Sequence, residues 1–423
     1  MRHHLWRETL RILVVSVLYP PIKVGGAEKA AKLLADAFAR SADQIAVISL
    51  HPGNSETVEE QGDVRIYRLP LDNLYWPFGT DSKRGRLEKL LWHLKDIWNM
   101  KAARRVGRIL DIEKPDVVHT HNLSGLSVSV WKEVKARNIR LVHTVHDYYL
   151  LCPRSNLFRD GQSCEKRCVS CRALSTVSKS CSKEPDVVVC VSEAVLKTHR
   201  HYGYFEDIPS SVIHNIEHSC ERPIDVIPAA RRTDADDLVF GFIGKVSQAK
   251  GLFMLLKATT YLSRGDWRLR IAGKGQDAYV AELKRQFQDP RIEWLGFTES
   301  WSFYASIDVT VVPSLWRDPL PYVVIESFAA GKAVICAESG GLPELSLLGK
   351  RVKTYPGVDV QALVEALEQA LSNKEVWRSG GFKTLDSRAT FMEETVTRRY
   401  RDAYQGGGNG LVDPKFMLVE TTK

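Results

Sequence analysis

The sequence lacks any apolar run long enough to cross a bilayer. The longest such stretch near the start, Ile12 to Tyr19, is far shorter than the roughly 18–20 residues required. Residues 1–10 carry no apolar signal core and no small-residue cleavage site, so we expect no export. Cysteine is also scarce, with eight residues in 423, which excludes a disulfide scaffold. These absences predict a cytoplasmic protein.

The chain also lacks a strong excess of either charge. It has 59 Lys and Arg against 51 Asp and Glu, and the surplus lies in the first half, with 32 against 25 residues up to Cys220. These basic residues form no recognisable nucleic-acid reading motif, so we expect no nucleic-acid partner. At about 100–200 residues per domain, the length allows two substantial cores.

Short apolar runs rich in β-branched residues alternate with helix-periodic segments along the first half. The strand candidates are 11–18, 44–50, 64–69, 116–119, 140–143 and 186–191. The helix candidates include 27–40, 86–110 and 192–201. This alternation predicts an α/β fold with a parallel, doubly wound sheet.

The second half repeats the pattern after a stretch without periodicity. Its strand candidates are 238–244, 268–272, 292–295, 308–312 and 333–337. We therefore predict a Rossmann-like domain at 1–216 with a cysteine-rich loop at 150–183, a linker at 217–237 and a second domain at 238–390. A helix at 391–405 would cross back to the first domain, and 406–423 would be a disordered tail. Two such domains create a cleft between the carboxyl ends of two sheets.

Two glycine turns of the second half follow predicted strands. The segment Gly244-Lys245-Val-Ser-Gln-Ala-Lys250-Gly251 opens a predicted helix, where backbone N–H groups and two ammonium groups favour a phosphate. The turn Ala272-Gly273-Lys274-Gly275 ends the next strand on the same sheet edge. A pair of solvated surface lysines is the alternative interpretation, which the second turn disfavours.

The segment Val311 to Gly331 combines a proline loop with a buried acidic residue. Pro321 can be the first residue of a helix, which leaves nearby backbone N–H groups for an acceptor oxygen. Glu326 follows an apolar run on that helix, so its carboxylate needs a partner. A sugar diol is one such partner, because a carboxylate accepts two hydroxyl hydrogen bonds at once.

Histidines close two predicted strands of the first half. In His119-Thr-His121 both side chains point to one side of the sheet, so we expect one to be buried and one to face the cleft. His143 and His146 close the next strand. A core role is the favoured alternative for His119 and His143. The first half shows no carboxylate pair in its sequence.

Six motifs together resemble the retaining glycosyltransferases of family 4, which have the GT-B fold. They are the glycine loop at Gly25 and Gly26, the Gly-Lys-x4-Lys-Gly segment, Ala272 to Gly275, Leu295-Gly296-Phe297, Asp318-x7-Glu326, and Gly340-Gly341-Leu-Pro-Glu344. The resemblance covers residues 11–405. It implies two Rossmann-like domains facing each other across a cleft.

The resemblance implies a role for each matched position. Lys245, where the family usually has Arg, and Lys250 would bind the diphosphate of the donor, and Glu326 would bind its ribose. Asp318 stands where the family has Glu, so its contact with the donor sugar would be altered or replaced by backbone groups of residues 319–321. The implied catalytic residues are His121, Lys245, Lys250 and Asp318. The implied donor-binding residues are Gly25, Gly26, His146, Gly273, Gly296, Phe297, Pro319, Leu320, Pro321 and Glu326.

The resemblance implies transfer of a hexose-type sugar from a UDP- or GDP-linked donor to a glycan or lipid-linked acceptor. The configuration would be retained by a front-face departure, in which the leaving diphosphate helps to remove the acceptor proton. No divalent metal would be required. Surface polysaccharide synthesis is the expected setting. A nucleotide-sugar epimerase and a non-catalytic nucleotide- or glycan-binding protein are the alternatives.

Cysteines cluster in the loop between two strands of the first half. Cys164, Cys168 and Cys171 have a spacing typical of a metal site, and either Cys181 or Cys152 would be the fourth ligand. Four thiolates on zinc would fold a loop too polar to fold alone. Free thiols are the alternative, and an iron–sulfur cluster fits the spacing less well.

A basic segment with interspersed aromatic residues follows Tyr75. Its cations include Lys83, Arg84, Arg86, Lys89 and Lys95, and Trp92 and Trp98 lie among them. Such a helix is typical of binding to an anionic bilayer, from which a lipid-linked acceptor would be delivered. The alternative is a helix packed on the sheet with a solvated basic face.

Overall fold

The computed structural model describes residues 9–22, 25–79, 84–217 and 236–406, which form two compact units. The first unit contains the chain up to Ser155, Lys166–Ile216 and the chain from Glu393 onward. The second contains Asn156–Glu165 and the chain from Glu217 to Met392. Most of the predicted linker (217–237) and tail (406–423) lies outside the described residues.

The strands of the first half are β1 (Arg11–Val15), β2 (Gln44–His51), β3 (Thr57–Gln61), β4 (Val64–Pro70), β5 (Val117–Thr120), β6 (Arg140–Val145), β7 (Phe158–Arg159), β8 (Gln162–Ser163), β9 (Val187–Cys190) and β10 (Ser210–Val212). All except β7 and β8 form one sheet in the order β10-β9-β6-β5-β1-β2-β4-β3. Its strands are parallel except β3, which pairs antiparallel with β4. The short hairpin β7-β8 belongs to the second unit.

The helices of the first half are α1 (Gly26–Arg40), α2 (Arg86–Ile97), α3 (Met100–Glu113), α4 (Ser129–Ala136), α5 (Val169–Leu174), α6 (Thr176–Cys181) and α7 (Glu193–His201). The single helix predicted for 86–110 is wrong, because Trp98 is extended and ends α2. Asn99 then starts α3, and its side-chain oxygen accepts a hydrogen bond from the Ala102 N–H at 3.2 Å. An asparagine at this position satisfies a helix N–H that has no partner within the helix.

The second unit contains the strands β11 (Leu238–Ile243), β12 (Trp267–Ala272), β13 (Ile292–Gly296), β14 (Val309–Val312), β15 (Ala333–Ala337) and β16 (Val352–Tyr355). They form a parallel sheet in the order β13-β12-β11-β14-β15-β16. Its helices are α8 (Leu252–Thr259), α9 (Asp277–Gln286), α10 (Ser300–Ala305), α11 (Tyr322–Ala329), α12 (Leu342–Ser346), α13 (Val360–Ser372), α14 (Lys374–Trp377) and α15 (Leu385–Ala389).

The last described helix, α16 (Glu393–Gln405), packs within the first unit. Its Tyr404 is fully buried, contacts Phe38 of α1 with ring centroids 5.3 Å apart, and bonds His119 of β5. The core of this unit therefore includes side chains from both ends of the chain. The predicted α/β class with two parallel-sheet units is confirmed. In the part of the chain that the structure describes, no helix has the length and apolar character needed to span a membrane.

Candidate functional site

The loops at the carboxyl edge of the second sheet are joined to one another by backbone hydrogen bonds. The Gly244 N–H donates to the Ala272 carbonyl at 3.0 Å, and the Gly273 N–H donates to the Gly296 carbonyl at 2.6 Å. The Leu315 N–H donates to the carbonyl of Ala249 at 2.9 Å. Segments that follow four parallel strands are thereby brought together at the edge where open α/β sheets bind ligands.

Two of the predicted glycines are required by this close approach. Gly273 has φ 138°, and a Cβ there would lie 1.8 Å from the carbonyl oxygen of Gly244. Gly251 has φ 72°, and a Cβ there would lie 1.7 Å from the carbonyl oxygen of Pro313. Only glycine fits both the left-handed backbone and the available space.

Lys250 and Asp318 form an ion pair at this edge. The ammonium group of Lys250 donates to Oδ2 of Asp318, whose side chain is 5% exposed. The hydroxyl of Ser314 donates to the same oxygen at 3.3 Å, and the Lys250 Nζ lies 5.2 Å from the centroid of the Trp316 ring. Asp318 therefore holds one of the two predicted phosphate-binding cations in place.

The remaining part of the edge is exposed. Lys245 is exposed and has no side-chain partner among the residues that the structure describes. Phe297 is 79% exposed, Leu295 is 40% exposed, and the Nζ of Lys274 lies 5.5 Å from the Phe297 ring. This edge of the sheet therefore presents cations and an exposed apolar surface to a ligand.

Helix α11 carries the predicted acidic residue. Pro321 is the N-cap, in an extended conformation, so the expectation that it is the first helical residue is wrong by one position. The three residues before α11, Pro319, Leu320 and Pro321, are buried. Glu326 is half-buried, and its Oε2 accepts a hydrogen bond from the Tyr304 hydroxyl at 3.0 Å.

Four histidine rings lie together at the carboxyl ends of β5 and β6 in the first unit. His119 bonds Tyr404 at 2.8 Å and Thr144 at 2.7 Å, as a core histidine does. His143 bonds the Thr120 hydroxyl at 2.9 Å. His119 and His121 share one side, as predicted, but both are buried, so the expectation that only one would be buried is wrong.

His121 and His146 form a stacked pair. Their rings are 5.0 Å apart, and Nδ1 of His121 lies 2.7 Å from Nε2 of His146. Burial lowers the pKa of His146 to about 4 and that of His121 well below its usual range, so both rings are neutral at pH 7. No described residue bonds the buried Nε2 of His121. A buried polar atom without a protein partner points to a water molecule or a ligand at this position.

One carboxylate next to these histidines was not predicted from the sequence. Asp147 accepts hydrogen bonds from Asn122 at 3.0 Å and from the Tyr149 N–H at 2.7 Å, and burial raises its pKa to about 7. Glu28 contributes to that shift, and burial also raises the pKa of Glu28 itself. Asp147 is a carboxylate that was not among the predicted site residues. Asp147 directly follows His146 at the strand end, which was the available signal.

Glu28 also organises the exposed glycine loop. Its Oε2 accepts a hydrogen bond from the N–H of Gly25, the N-cap of α1, at 2.9 Å. Gly25 and Gly26 are both exposed. A helix N-terminus with exposed glycines allows an anion to approach the backbone.

At least three of the five candidate zinc ligands lie together. The thiol of Cys171 interacts with those of Cys152 and Cys168, which help to raise the pKa of Cys171. Cys181 lies apart, where the charges of Lys132 and Glu184 act on it, and Cys164 belongs to the second unit. Within the described ranges, no group of three or more His, Cys, Asp or Glu residues is arranged to hold a metal ion. Zinc binding stays a prediction.

Cys168 is expected to be the most reactive of these thiols. Its hydrogen bond with Ser170, 3.1 Å long, and the N–H of Cys171 lower its pKa to about 7. Its alkylation by iodoacetamide should rise about fivefold between pH 6 and 7 and only about twofold between pH 7 and 8, because the thiolate reacts. Peptide mapping would measure this. Cys181, whose pKa burial raises, is the internal control. Protection of Cys168 together with one bound zinc per chain would contradict the free-thiol state.

Comparison with known proteins agrees with this geometry. The model of the family described as Glycosyltransferase Family 4 matches residues 24–216, and the model described as Glycosyl transferases group 1 matches residues 237–373. A 42.6 kDa protein of the cps region of Klebsiella pneumoniae is 31% identical over 404 residues, which cover 94% of this chain and 100% of that protein. A glycosyltransferase of Methanocaldococcus jannaschii is 26% identical over 79% of this chain and 82% of its own length.

Solved structures show the same fold. The sucrose-phosphate synthase of Thermosynechococcus elongatus has a TM-score of 0.74 at 19% identity and covers 94% of this chain and 98% of its own. Anabaena HepE in complex with UDP has a TM-score of 0.68 at 17% identity and covers 94% and 100%. The matched domains and the Klebsiella relative show that this chain belongs to the family 4-like glycosyltransferases of the GT-B fold.

Proposed function

We propose that this glycosyltransferase moves a hexose-type sugar from a nucleoside diphosphate to a glycan or lipid-linked acceptor, with retention of configuration. The reaction would take place in the cytoplasm, as a step of surface polysaccharide synthesis. The observation that carries the proposal is the Lys250–Asp318 pair, which lies at the same edge of the second sheet as the exposed Phe297 and near Glu326 in sequence. The Klebsiella relative from a cps region supports the polysaccharide setting. HepE, solved with UDP, supports a nucleotide donor.

In this proposal the second unit would bind the nucleotide part of the donor. Lys245 and Lys250 would bind the diphosphate and stabilise the negative charge that develops as it leaves. Glu326 would accept hydrogen bonds from the ribose hydroxyls. Leu295 and Phe297, both exposed, would lie against the base.

The first unit supplies neutral hydrogen-bonding groups. His121 would bond a hydroxyl of the donor sugar through its unpartnered Nε2. Because burial lowers the pKa of His121, the ring acts there without charge at pH 7. Gly25 and Gly26 would let the loop before α1 approach the donor. His146 would hold the ring of His121 in place through their contact.

Retention requires the new bond to form on the face from which the diphosphate leaves. The bond between the anomeric carbon and the diphosphate oxygen breaks, and the acceptor oxygen bonds that carbon on the same face. The acceptor proton passes to the departing diphosphate. In this scheme the cations of Lys245 and Lys250 stabilise the leaving group, and no carboxylate nucleophile is needed.

Calorimetric titration with UDP, GDP and ADP tests the donor site. The wild-type protein should bind one of these nucleotides, and Glu326→Ala should bind it about 10- to 100-fold more weakly, since hydrogen bonds to a charged group are lost. Tyr304, the partner of Glu326, keeps the Val323 carbonyl as an acceptor at 3.3 Å, so the variant should fold.

Glu365→Ala is the matched control, because Glu365 is exposed on α13 of the same unit. Its affinity should equal that of the wild type. Equal affinity in Glu326→Ala would instead reject the site. Nucleotide binding without any sugar transfer would favour the non-catalytic binding protein.

A further inference from the structure

Helix α2 presents leucines to solvent. Leu87, Leu90, Leu91 and Leu94 are 68%, 44%, 46% and 50% exposed. Their spacing of three and four residues places them on one face of the helix. We call these four residues the leucine face. A helix that packs against a core normally points such a stripe inward.

The orientation of α2 is fixed by its other side. Trp92 is its single buried residue and is 3% exposed. Its indole N–H donates to the Tyr75 carbonyl at 2.9 Å, and its own carbonyl accepts from Asn73 at 3.1 Å. The leucine face therefore points away from the core of the first unit, and its exposure is not explained by packing.

Further exposed apolar side chains adjoin α2 in the chain. Leu74 is 53% exposed, Trp98 is 41% exposed and Met100 is 38% exposed. Singly exposed apolar residues are ordinary, but the four residues of the leucine face are a contiguous group, which marks an interaction surface.

Positive charge flanks this surface. Residues 84–108 contain eight Lys and Arg against two Asp and Glu, and four of the eight form ion pairs with acidic residues: Arg84, Lys101, Arg105 and Arg108. Arg86 and Lys95, on either side of the leucine face, and Arg104 of α3 are exposed and form no ion pair with the residues that the structure describes. A second copy would bring the same cations against these, whereas an anionic surface would complement them.

We propose that α2 binds the surface of an anionic bilayer. The leucine face lies at the boundary between headgroups and acyl chains, as interfacial helices do, and the flanking cations contact lipid phosphates. This inference rests on the proposed function and extends it, because a chain bound to the bilayer would meet a lipid-linked acceptor there.

Vesicle sedimentation with the full chain tests the proposal without donor or acceptor. The protein should bind phosphatidylcholine vesicles that contain about one-third phosphatidylglycerol, and bind pure phosphatidylcholine vesicles at least about tenfold more weakly. Leu90→Ser with Leu94→Ser should weaken binding to the anionic vesicles at least about tenfold. Arg86→Gln with Lys95→Gln should weaken it about threefold or more, and added salt should reduce the wild-type binding.

The matched control is Leu347→Ser with Leu385→Ser, two leucines of the second unit that are 53% and 86% exposed. This pair should bind vesicles as the wild type does. The proposal would be overturned if the wild-type protein did not bind anionic vesicles, or if the leucine-face variant bound them as strongly as the wild type. It would also be overturned by a leucine-face variant that changes only the oligomeric state, which would assign the face to a second copy. Nucleotide titration of the same variants separates this outcome from failure of the donor site.

Discussion

Replacement of Lys250 by alanine is expected to slow sugar transfer by at least about 100-fold and to lower the free energy of unfolding by about 1–3 kcal/mol. The first effect follows from loss of the cation that would stabilise the leaving diphosphate. The second follows because the side chain of Asp318, which is 5% exposed, loses its ammonium partner. Lys250 is 29% exposed, so the penalty is smaller than for a fully buried pair.

Two further variants separate the chemical role from the structural one. Lys250→Met with Asp318→Asn removes both charges, so stability should recover while transfer stays lost. Lys350→Ala removes an exposed lysine of the same unit and should change neither quantity. Release of nucleoside diphosphate measures transfer, and denaturant unfolding measures stability. Wild-type turnover in Lys250→Ala would show that this ammonium group does not act on the donor.

The unfolding free energy should fall steeply below about pH 6.5. Burial lowers the pKa of seven histidines of the first unit: His93, His119, His121, His143, His146, His199 and His214. The unfolded chain protonates them near pH 6.5, before the folded protein does, so their contribution to stability is present above that pH and is lost as the pH falls.

Two carboxyl groups oppose this trend. Burial raises the pKa of Asp96 and Asp147 to about 7, so the folded protein takes up these protons first as the pH falls. Each linked proton changes the free energy of unfolding by about 1.4 kcal/mol per pH unit, and the histidines outnumber these carboxyl groups, so the free energy should fall by several kcal/mol per pH unit.

Denaturant unfolding at pH 7.5, 6.5 and 5.5 would measure this slope. His143→Asn should reduce it by about 1.4 kcal/mol per pH unit, because one linked proton is removed. His201→Gln is the control, since His201 is exposed, and should leave the slope unchanged. Constant stability between pH 7.5 and 5.5 would contradict the assignment of these histidines as buried and neutral.

The fold was predictable where burial is continuous along a strand. The strands β1, β2 and β11 are almost wholly buried runs, and their positions agree with the apolar pattern to within a few residues. Strand β3 was not predicted, because all five of its side chains are exposed and only its pairing with β4 makes it a strand. The hydrophobic pattern of a sequence does not show that a fully exposed segment pairs with a neighbouring strand.

The site was predictable as far as single loops define it. The glycine turns and Lys250 follow strand ends in the sequence, and the backbone at Gly251 and Gly273 has the conformation that glycine permits. The pairing of Lys250 with Asp318 joins residues 68 positions apart, on loops that follow different strands. The raised pKa of Asp147 was equally hidden, since it depends on burial by side chains distant in sequence.

Helix α16 makes the first unit dependent on the end of the chain. The hydroxyl of Tyr404 bonds His119 at 2.8 Å, and that of Tyr400 bonds Thr144 at 3.2 Å. On the ribosome, which adds about 5–20 residues per second, these partners emerge only after the whole second unit has been synthesised. The core of the first unit therefore stays incomplete for on the order of ten seconds or more after residue 216 has been synthesised. The six-stranded sheet of the second unit, whose strands β11 to β16 are consecutive in the chain, is complete before the first unit closes.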